Sequence, residues 1–545
     1  MKVAPRIVIV GGVAGGASAA ARARRVNESA EIHIFERGPY ISFANCGLPY
    51  HIAGDIEDRA KLLIMTPEKM WIRSRVHVHV HHEVLTIDPH GKTICVRRGD
   101  GSEENVPYDK LILSQGATPI VPPIPGVDLP NIFTLRDVPD MDRIIAFLDG
   151  RQPKTAAIIG GGFIGLEMAE AFHRRGMHVT VIEKLPHILP LLDHDVARHL
   201  QNSVRTSGFA LMTGAEARHF TPSGVELASG EFVPAELILL SVGVRAEVDL
   251  ARRAGLEIGV TGGVKVNARM ESSDPDIYAV GDAAETTHML TGARTRIPLA
   301  GPANRQGRVA GANAAGGHHL YPGALGTSIV RVLHMAAGFS GLNSAQAAKA
   351  GFSFFSSVTV DPNHAGYYPG STPMMIKIIA EDGTGRLLGA QVVGQEGVDK
   401  RIDVLATAIA ARMTVFDLEN LDLAYAPPFG SANDPINTAG FVADHIVCGD
   451  VATISPEDWK PNGELLLDVR ETAEVAASGL LINAVHIPLG ELRDRMGELP
   501  RDRRILVYCQ KGQRGYLAAC ALQGNAFEDV ANLRGGYAQA RLNGF

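Results

Sequence analysis

The sequence is short of cysteines and aromatics, has no long apolar run and no large excess of charge, and each shortage removes a class of protein. Five cysteines, Cys46, Cys95, Cys448, Cys509 and Cys520, stand in 545 residues. They are too sparse for a disulfide framework and lack the paired spacing of a zinc site, so no metal is expected. A reducing compartment suits them, and a cysteine with a function is expected to be a reactive one. Aromatics are only 6% while glycine reaches 59 residues, a balance that fits Gly-rich nucleotide loops better than a β-sandwich. The apolar run Ile7–Ala21 is split by Gly11, Gly12, Gly15 and Gly16 and falls short of the roughly 18 residues of a spanning helix. The expectation is a soluble, cytoplasmic chain with no membrane partner. With 52 basic and 59 acidic residues the net charge is −7, which argues against general nucleic-acid binding but leaves room for a local basic pocket.

At 46% hydrophobic and 20% charged the chain reads as folded, and its length predicts three or four domains. Two segments share one grammar. Strand Arg6–Val10 leads through Gly11, Gly12, Val13, Ala14, Gly15 and Gly16 into an Ala-rich helix through Arg25, then strand Glu31–Phe35 ending at Glu36. Strand Thr155–Ile159 leads through Gly160, Gly161, Gly162, Phe163, Ile164 and Gly165 into a helix to about Arg175, then strand Val179–Ile182 ending at Glu183. Each is a βαβ unit whose glycines let the backbone approach a pyrophosphate at a helix N-terminus, and whose terminal carboxylate can accept from ribose hydroxyls. The second fingerprint is complete at Gly160, Gly162 and Gly165; the first has Val13 where the middle glycine is expected.

Two dinucleotide sites in one chain suggest hydride passing between cofactors. Ile277–Ala283 (IYAVGDA) reads as a strand ending in Gly-Asp, where Asp282 can hold a ribityl hydroxyl. It resembles the second flavin motif of the two-dinucleotide-binding flavoprotein reductases. Leu111–Pro119 (LILSQGATP) and Leu239–Arg245 (LLSVGVR) resemble that superfamily's crossover strands. The resemblance covers roughly residues 1–445 and implies FAD. Glu183 favours NADH over NADPH, because a carboxylate repels a 2′-phosphate; Lys184 beside it keeps NADPH possible.

Ser42–Tyr50 (SFANCGLPY) follows the first βαβ unit, where a flavin reductase places its redox sulfur, and Leu48 to His51 supply no second cysteine. Cys46 must then cycle through a mixed disulfide, a persulfide or a sulfenic acid. This stretch resembles the signature of the coenzyme A disulfide reductases, a single-cysteine branch of the pyridine nucleotide–disulfide reductases in which Val13 is also usual. Ala365–Gly370 (AGYYPG), Lys400–Asp403 (KRID) and Ala424–Phe429 (AYAPPF) match as well. The resemblance implies Cys46 as redox nucleophile, with Tyr368 and Tyr425 near the sulfur chemistry and Tyr425 supplied by the partner subunit of a homodimer. It places Gly11, Gly12, Ala14, Gly15, Glu36, Asp282, Ala303 and His364 at the flavin. Ser18, Arg22 and Arg25, at i, i+4 and i+7, share one helix face, and guanidinium forks match the phosphates of coenzyme A. By resemblance these residues, with Ser42 and Asn45, line a CoA channel.

The tail contains Leu467–Arg470 (LDVR), Val485–Pro488 (VHIP) and Val507–Arg514 (VYCQKGQR). Strand, cysteine, short loop, helix surrounds a sulfur with backbone N–H groups, which stabilises an anionic persulfide, and Lys511 and Arg514 add positive charge. Cysteine phosphatases use C-x5-R, whereas Cys509 and Arg514 form C-x4-R, a smaller loop suited to a sulfane sulfur. The motifs resemble a single-domain rhodanese over about residues 455–545, with Cys509 carrying sulfur. Cys520 and Cys95 read as core positions.

The expected class is α/β: an FAD-binding domain (1–115 and 246–325), an NAD(P)H-binding domain (116–245), both Rossmann-like, an α+β dimerisation domain (326–447), a Pro/Gly-punctuated linker (448–463) and a rhodanese domain (464–545). Joined to a rhodanese, a CoA-linked reductase is expected to reduce CoA persulfide and related polysulfides with release of sulfide. Reduction of CoA disulfide, an NADH oxidase or peroxidase, and a flavin-stabilised sensor are the alternatives.

Overall fold

The computed structural model describes residues 4–545. Two compact units emerge, one of residues up to Ile188 with Gly208–Gly326, the other of Leu189–Ser207 with Thr327–Phe545.

Two parallel five-stranded sheets carry the first unit. One has the order Ile277–Ala279, Lys110–Leu113, Arg6–Val10, Glu31–Glu36, His77–Val80; the other Ala210–Thr213, His178–Glu183, Thr155–Ile159, Leu237–Leu240, Ile132–Phe133. Their central strands are runs of Ile, Val, Leu and Ala buried on both faces, as parallel strands covered by helices must be. Both βαβ units form with the register the sequence suggests: Arg6 pairs Glu31 through Val10 with Phe35, and Thr155 pairs His178 through Ile159 with Ile182. Ala117–Pro119 and Val244–Ala246, at the ends of the expected crossover stretches Leu111–Pro119 and Leu239–Arg245, pair antiparallel. Helix Ala14–Val26 lies along helix Ala300–Ala314 so closely that a Cβ on Gly307 would meet the Gly15 carbonyl at 2.3 Å, and one on Gly311 the Ala19 carbonyl at 2.1 Å. That contact needs small residues, and it brings the starts of both helices to one end of the sheet.

An antiparallel sheet opens the second unit, ordered Ser328–Val332, Met335–Gly341, Leu387–Gly394, Pro373–Glu381, Phe354–Pro362, and helices Val398–Ala410 and Pro435–Cys448 pack on it. Lys377, buried in the fourth of these strands, is clamped by Asp193 at 2.9 Å and Asp195 at 2.8 Å, so the 189–207 segment docks on this sheet. A parallel sheet follows, ordered Ala452–Ile454, Val530–Leu533, Ile505–Tyr508, Leu465–Asp468, Val485–His486. The stretch 448–463 therefore differs from the linker expected of it. Ala452–Ile454 is the edge strand of this last sheet, and Trp459 packs in its core with Tyr508 and Tyr537. Its prolines and glycines punctuate an edge strand and a turn; they do not loosen a tether. Among the described residues no helix is long and apolar enough to cross a membrane, and no group of three His, Cys, Asp or Glu could hold a metal.

Candidate active site

The first nucleotide turn admits only glycine at its tightest points. Gly11 has φ +93°, with a Cβ there 2.3 Å from the Ser114 carbonyl, and a Cβ on Gly16 would lie 1.9 Å from the Gly11 carbonyl. The Gly12 N–H donates to Glu36 Oε2 at 2.9 Å and the Gly38 N–H to Oε1 at 2.8 Å, which fixes the carboxylate at the strand end. Helix Ala14–Val26 starts with no side-chain cap and no acid in its first turn, so its leading N–H groups suit a pyrophosphate. Around it converge Ala303, whose carbonyl a Cβ on Gly15 would approach to 3.6 Å, and the turn Gly281–Ala283, whose Gly281 N–H donates to Gln306 at 2.8 Å. Burial pushes the Asp282 carboxyl up, with Arg296 and Arg136 opposing. An FAD fits this cradle.

The second turn repeats the geometry. Gly160 has φ +108°, and a Cβ on Gly165 would meet the Gly160 carbonyl at 2.0 Å, while Gly162 opens onto free space. Buried Glu183 accepts from the N–H groups of Gly161 and Leu185, both at 2.7 Å. Lys184 is turned to Glu216 at 2.7 Å. This site suits a nicotinamide dinucleotide.

Cys46 lies exposed and unbridged on the 3-10 turn Asn45–Gly47, just ahead of helix Leu48–Ala53. Its N–H donates to Asn45 Oδ1 at 3.1 Å, and its Sγ lies 3.7 Å from the same oxygen. Ser42 takes the left-handed conformation at φ +44°, and its N–H donates to the Gly12 carbonyl at 2.9 Å, tying the cysteine segment to the flavin turn. On the other side, Tyr50 donates to Glu167 at 3.2 Å and Arg175 to the Ile52 carbonyl at 2.7 Å, while Arg174 pairs with Asp55. Glu167 belongs to the helix of the second nucleotide fold, so Cys46 is held between the two folds. Desolvation pushes the Cys46 thiol up, and the carboxylates of Glu167 and Asp282 push it further. The protein around this thiol thus disfavours its anion.

Along the first helix, Ser18 donates to Asn304 at 2.8 Å, Arg22 lies 3.3 Å from the His319 ring and Arg25 is exposed. Arg24 is turned inward and donates to the carbonyls of Glu28, Ser74 and Arg75. Three predicted residues therefore share one accessible edge, and Asn304 and His319, which no motif marked, join them.

In the second unit the Tyr425 hydroxyl meets Tyr367 at 3.0 Å, whereas Tyr368 packs edge-on against His364. The sequence reading singled out Tyr368; the structure pairs its neighbour with Tyr425. Hydrogen bonding to Tyr367 pushes Tyr425 up, which keeps its proton in place at neutral pH. Arg401, in the KRID motif, holds the two tyrosine loops together. It is buried, bonds Asp434 at 2.8 Å and donates to the Asn363 carbonyl at 2.8 Å.

Cys509, 2% exposed, ends strand Ile505–Tyr508. The Gly512 N–H donates to its Sγ at 3.1 Å, with Gly512 at φ +115°. Gly536, at φ +58°, passes so near that a Cβ would lie 2.2 Å from the Cys509 carbonyl. Arg514 spends its fork on Glu474, and Lys511 is exposed. Arg470, fully buried on Asp468 at 2.6 Å within the LDVR stretch, also donates to Ser478 and Gly479 and anchors the loop from behind. Cys520 packs against this core and Cys95 lies in strand Thr93–Arg97.

The chain is similar to known proteins over nearly its whole length. The NAD(P)H sulfur oxidoreductase (CoA-dependent) of Pyrococcus abyssi is 36% identical over 445 residues, covering 80% of this chain and 97% of that protein. The structure of reduced Bacillus anthracis CoADR-RHD superposes with TM-score 0.97 at 43% identity, covering 99% of this chain and 98% of that one. A NAD-dependent persulfide reductase from A. fulgidus superposes with TM-score 0.93 at 36% identity, covering 99% and 100%. Residues 327–434 match the dimerisation domain of the pyridine nucleotide-disulphide oxidoreductases, and 456–541 a rhodanese-like domain. Residues 5–307 match the oxidoreductase domain itself, and the chain belongs to the pyridine nucleotide-disulphide oxidoreductase family, whose members work with FAD and NAD(P)H.

Proposed function

We propose that the chain is an FAD-dependent NADH reductase of coenzyme A persulfide and related persulfides or polysulfides, releasing hydrogen sulfide, with the rhodanese module handling sulfane sulfur. The observation that carries it is one accessible thiol, Cys46, held between two dinucleotide cradles in a chain that also holds a built sulfur cradle at Cys509. Bound FAD supplies the two-electron relay from NADH to this sulfur. Cys46 thiolate attacks the outer sulfur of R–S–SH, giving Cys46–S–SH and R–S⁻; two electrons then return the thiolate and free HS⁻. With NADH and one proton consumed, the thiol R–SH and hydrogen sulfide account for every atom.

Glu183 beside the second turn, with Lys184 drawn to Glu216, favours NADH. Ser42 and Asn45 position the nucleophile, and Ser18, Arg22 and Arg25 offer a polar, cationic edge to the phosphates of coenzyme A. We place the Tyr367–Tyr425 pair of one subunit of a homodimer at the sulfur of the other, where a tyrosine protonates the departing thiolate. His364 then supports Tyr368 at the cofactor. Five unbridged thiols accord with the cytoplasm. Sulfide release with NADH and CoA persulfide is the direct test: wild type turns over and Cys46→Ser is reduced to background. CoA disulfide turning over faster than the persulfide would assign the chain to disulfide reduction, and NADH loss driven by peroxide alone would assign it to the peroxidases.

A further inference from the structure

The sulfur loop leans on two successive glycines in left-handed backbone, Gly535 at φ +68° and Gly536 at φ +58°. From this turn the Tyr537 N–H donates to the Cys509 carbonyl at 2.7 Å and the Ala538 N–H to the Gln510 carbonyl at 3.2 Å. A Gly-Gly pair is a loose hinge, because glycine has the most conformational freedom to lose, so the flanks of the turn decide where those two N–H groups point. Downstream, Tyr537 is held inside the rhodanese module: its hydroxyl donates to the Ser478 carbonyl, and Arg470 lies 3.8 Å from its ring centre. Upstream stands Arg534. Its N–H stays in the module, donating to the Ile454 carbonyl at 2.9 Å, but its side chain leaves it. Only 19% exposed, that side chain donates to the Ser356 carbonyl on Phe354–Pro362, the edge strand of the dimerisation sheet. Helix Gly536–Leu542 touches the same body further on, through Gln539 with Met375 Sδ at 4.0 Å and Arg198 with the Leu542 carbonyl. Both of those contacts fall after the turn, whereas Arg534 holds the strand that enters it.

The seam that Arg534 crosses is not packed solid. Asp195, Ser356, Glu457, Arg534 and Gln539 help to line a cavity of about 310 Å³ there. Arg534 Nε is buried with no acceptor, and Asp458 stands 4.0 Å from the guanidinium. Burial pushes the guanidinium down, with Asp458, Asp195 and Glu457 opposing. An apolar side chain filling the cavity would avoid this desolvation. What the arginine supplies in exchange is a directed bond from the sulfur turn to the sheet. We infer that Arg534 is a positioning residue for Cys509: by fastening the Gly535–Gly536 turn to the dimerisation sheet, it holds the Tyr537 and Ala538 N–H groups on the sulfur loop. This rests on Cys509 being the sulfur carrier of the proposed function. The step served is attack of the Cys509 thiolate on the outer sulfur of R–S–SH. The donor's S–S bond breaks, a new one forms on Cys509, R–S⁻ leaves, and no electrons are gained or lost.

The test uses the full-length Cys46→Ser protein, in which a load on Cys509 is not reduced away, with CoA persulfide as donor. Loading is followed as the mass gain of one sulfur atom. Arg534→Met keeps the apolar stem and removes the donor, and it is expected to slow loading about tenfold, as loss of a hydrogen bond from a charged group does. The half-saturating donor concentration is expected to stay within about twofold, since positioning acts on the step and not on donor binding. Arg534→Lys still offers one donor to the one carbonyl and is expected within about threefold of the parent. Arg198→Met loosens the far end of the helix without touching the turn, and should also stay within about threefold. Amide hydrogen exchange gives a signature that lost stability would not: faster exchange at Tyr537 and Ala538 in Arg534→Met, with strand Leu465–Asp468 as protected as in the parent. Unchanged loading in Arg534→Met, a lysine variant as slow as the methionine one, an equal loss in Arg198→Met, or exchange rising equally in Leu465–Asp468 overturns the positioning role. A parent that takes no sulfur overturns the carrier reading with it, and neither result bears on sulfide release at Cys46 in the wild type.

Discussion

Cys46 lies on a 3-10 turn with desolvation first, then Glu167 and Asp282, pushing its thiol up, whereas Cys509 is 2% exposed with a backbone N–H aimed at its sulfur. The second cradle closes on itself: glycines at 512 and 536 let the chain fold round one atom. The first is a meeting point. Its residues hold a sulfur between two nucleotide folds and leave its activation to what binds there. The difference matches the roles proposed for them: a carrier must keep a persulfide from water, and a redox relay must be reached from two sides.

The largest effect expected from breaking this comparison is the exchange of the two thiols for serine. Cys46→Ser should abolish NADH-dependent sulfide release, by about 10³-fold or more, with the flavin absorbance retained. Cys509→Ser should keep most of the turnover on free CoA persulfide, measured as NADH consumption. Next, if the Tyr425 hydroxyl gives the proton and Tyr367 orients it, as proposed, Tyr425→Phe should lower kcat on the order of 10²-fold, with Tyr367→Phe weaker. Equal and negligible losses in both would remove the tyrosines from the chemistry. Gly536→Ala places a Cβ against the Cys509 carbonyl at a positive φ, a strain of about 1–3 kcal/mol. It should cut sulfur loading of Cys509 about tenfold, measured by mass, and spare the reductase. The smallest effect is electrostatic. Glu167→Gln removes one of the two carboxylates that raise the Cys46 thiol, so alkylation of Cys46 by iodoacetamide should become appreciable at lower pH than in wild type. An unchanged profile would mean that desolvation alone sets the thiol.

Much of this molecule is legible in one dimension because its elements are local. A β-branched run, a glycine turn, an Ala-rich helix and a terminal acid are contiguous, and Arg6–Val10, Thr155–Ile159 and their partners form where the pattern puts them. The stretch 448–463 misleads for a physical reason: an edge strand of three residues between Gly449 and Pro456 carries too little periodicity to be told from a tether. The role of Arg401 is hidden because its buried ion pair depends on a partner chosen by the fold; Asp434 lies 33 positions away. Arg514 shows the converse, a cation whose charge the sequence displays and Glu474, 40 positions away, cancels.

By itself the sequence determined the two nucleotide turns, the lone thiol at 46 and the sulfur loop at 509, since each needs particular residues at fixed short spacings. Tertiary structure decided which tyrosine meets Tyr425, which arginines are free and what charge each sulfur feels. Those depend on distances between residues remote in the chain, and an electrostatic environment is a sum over neighbours that only folding assembles.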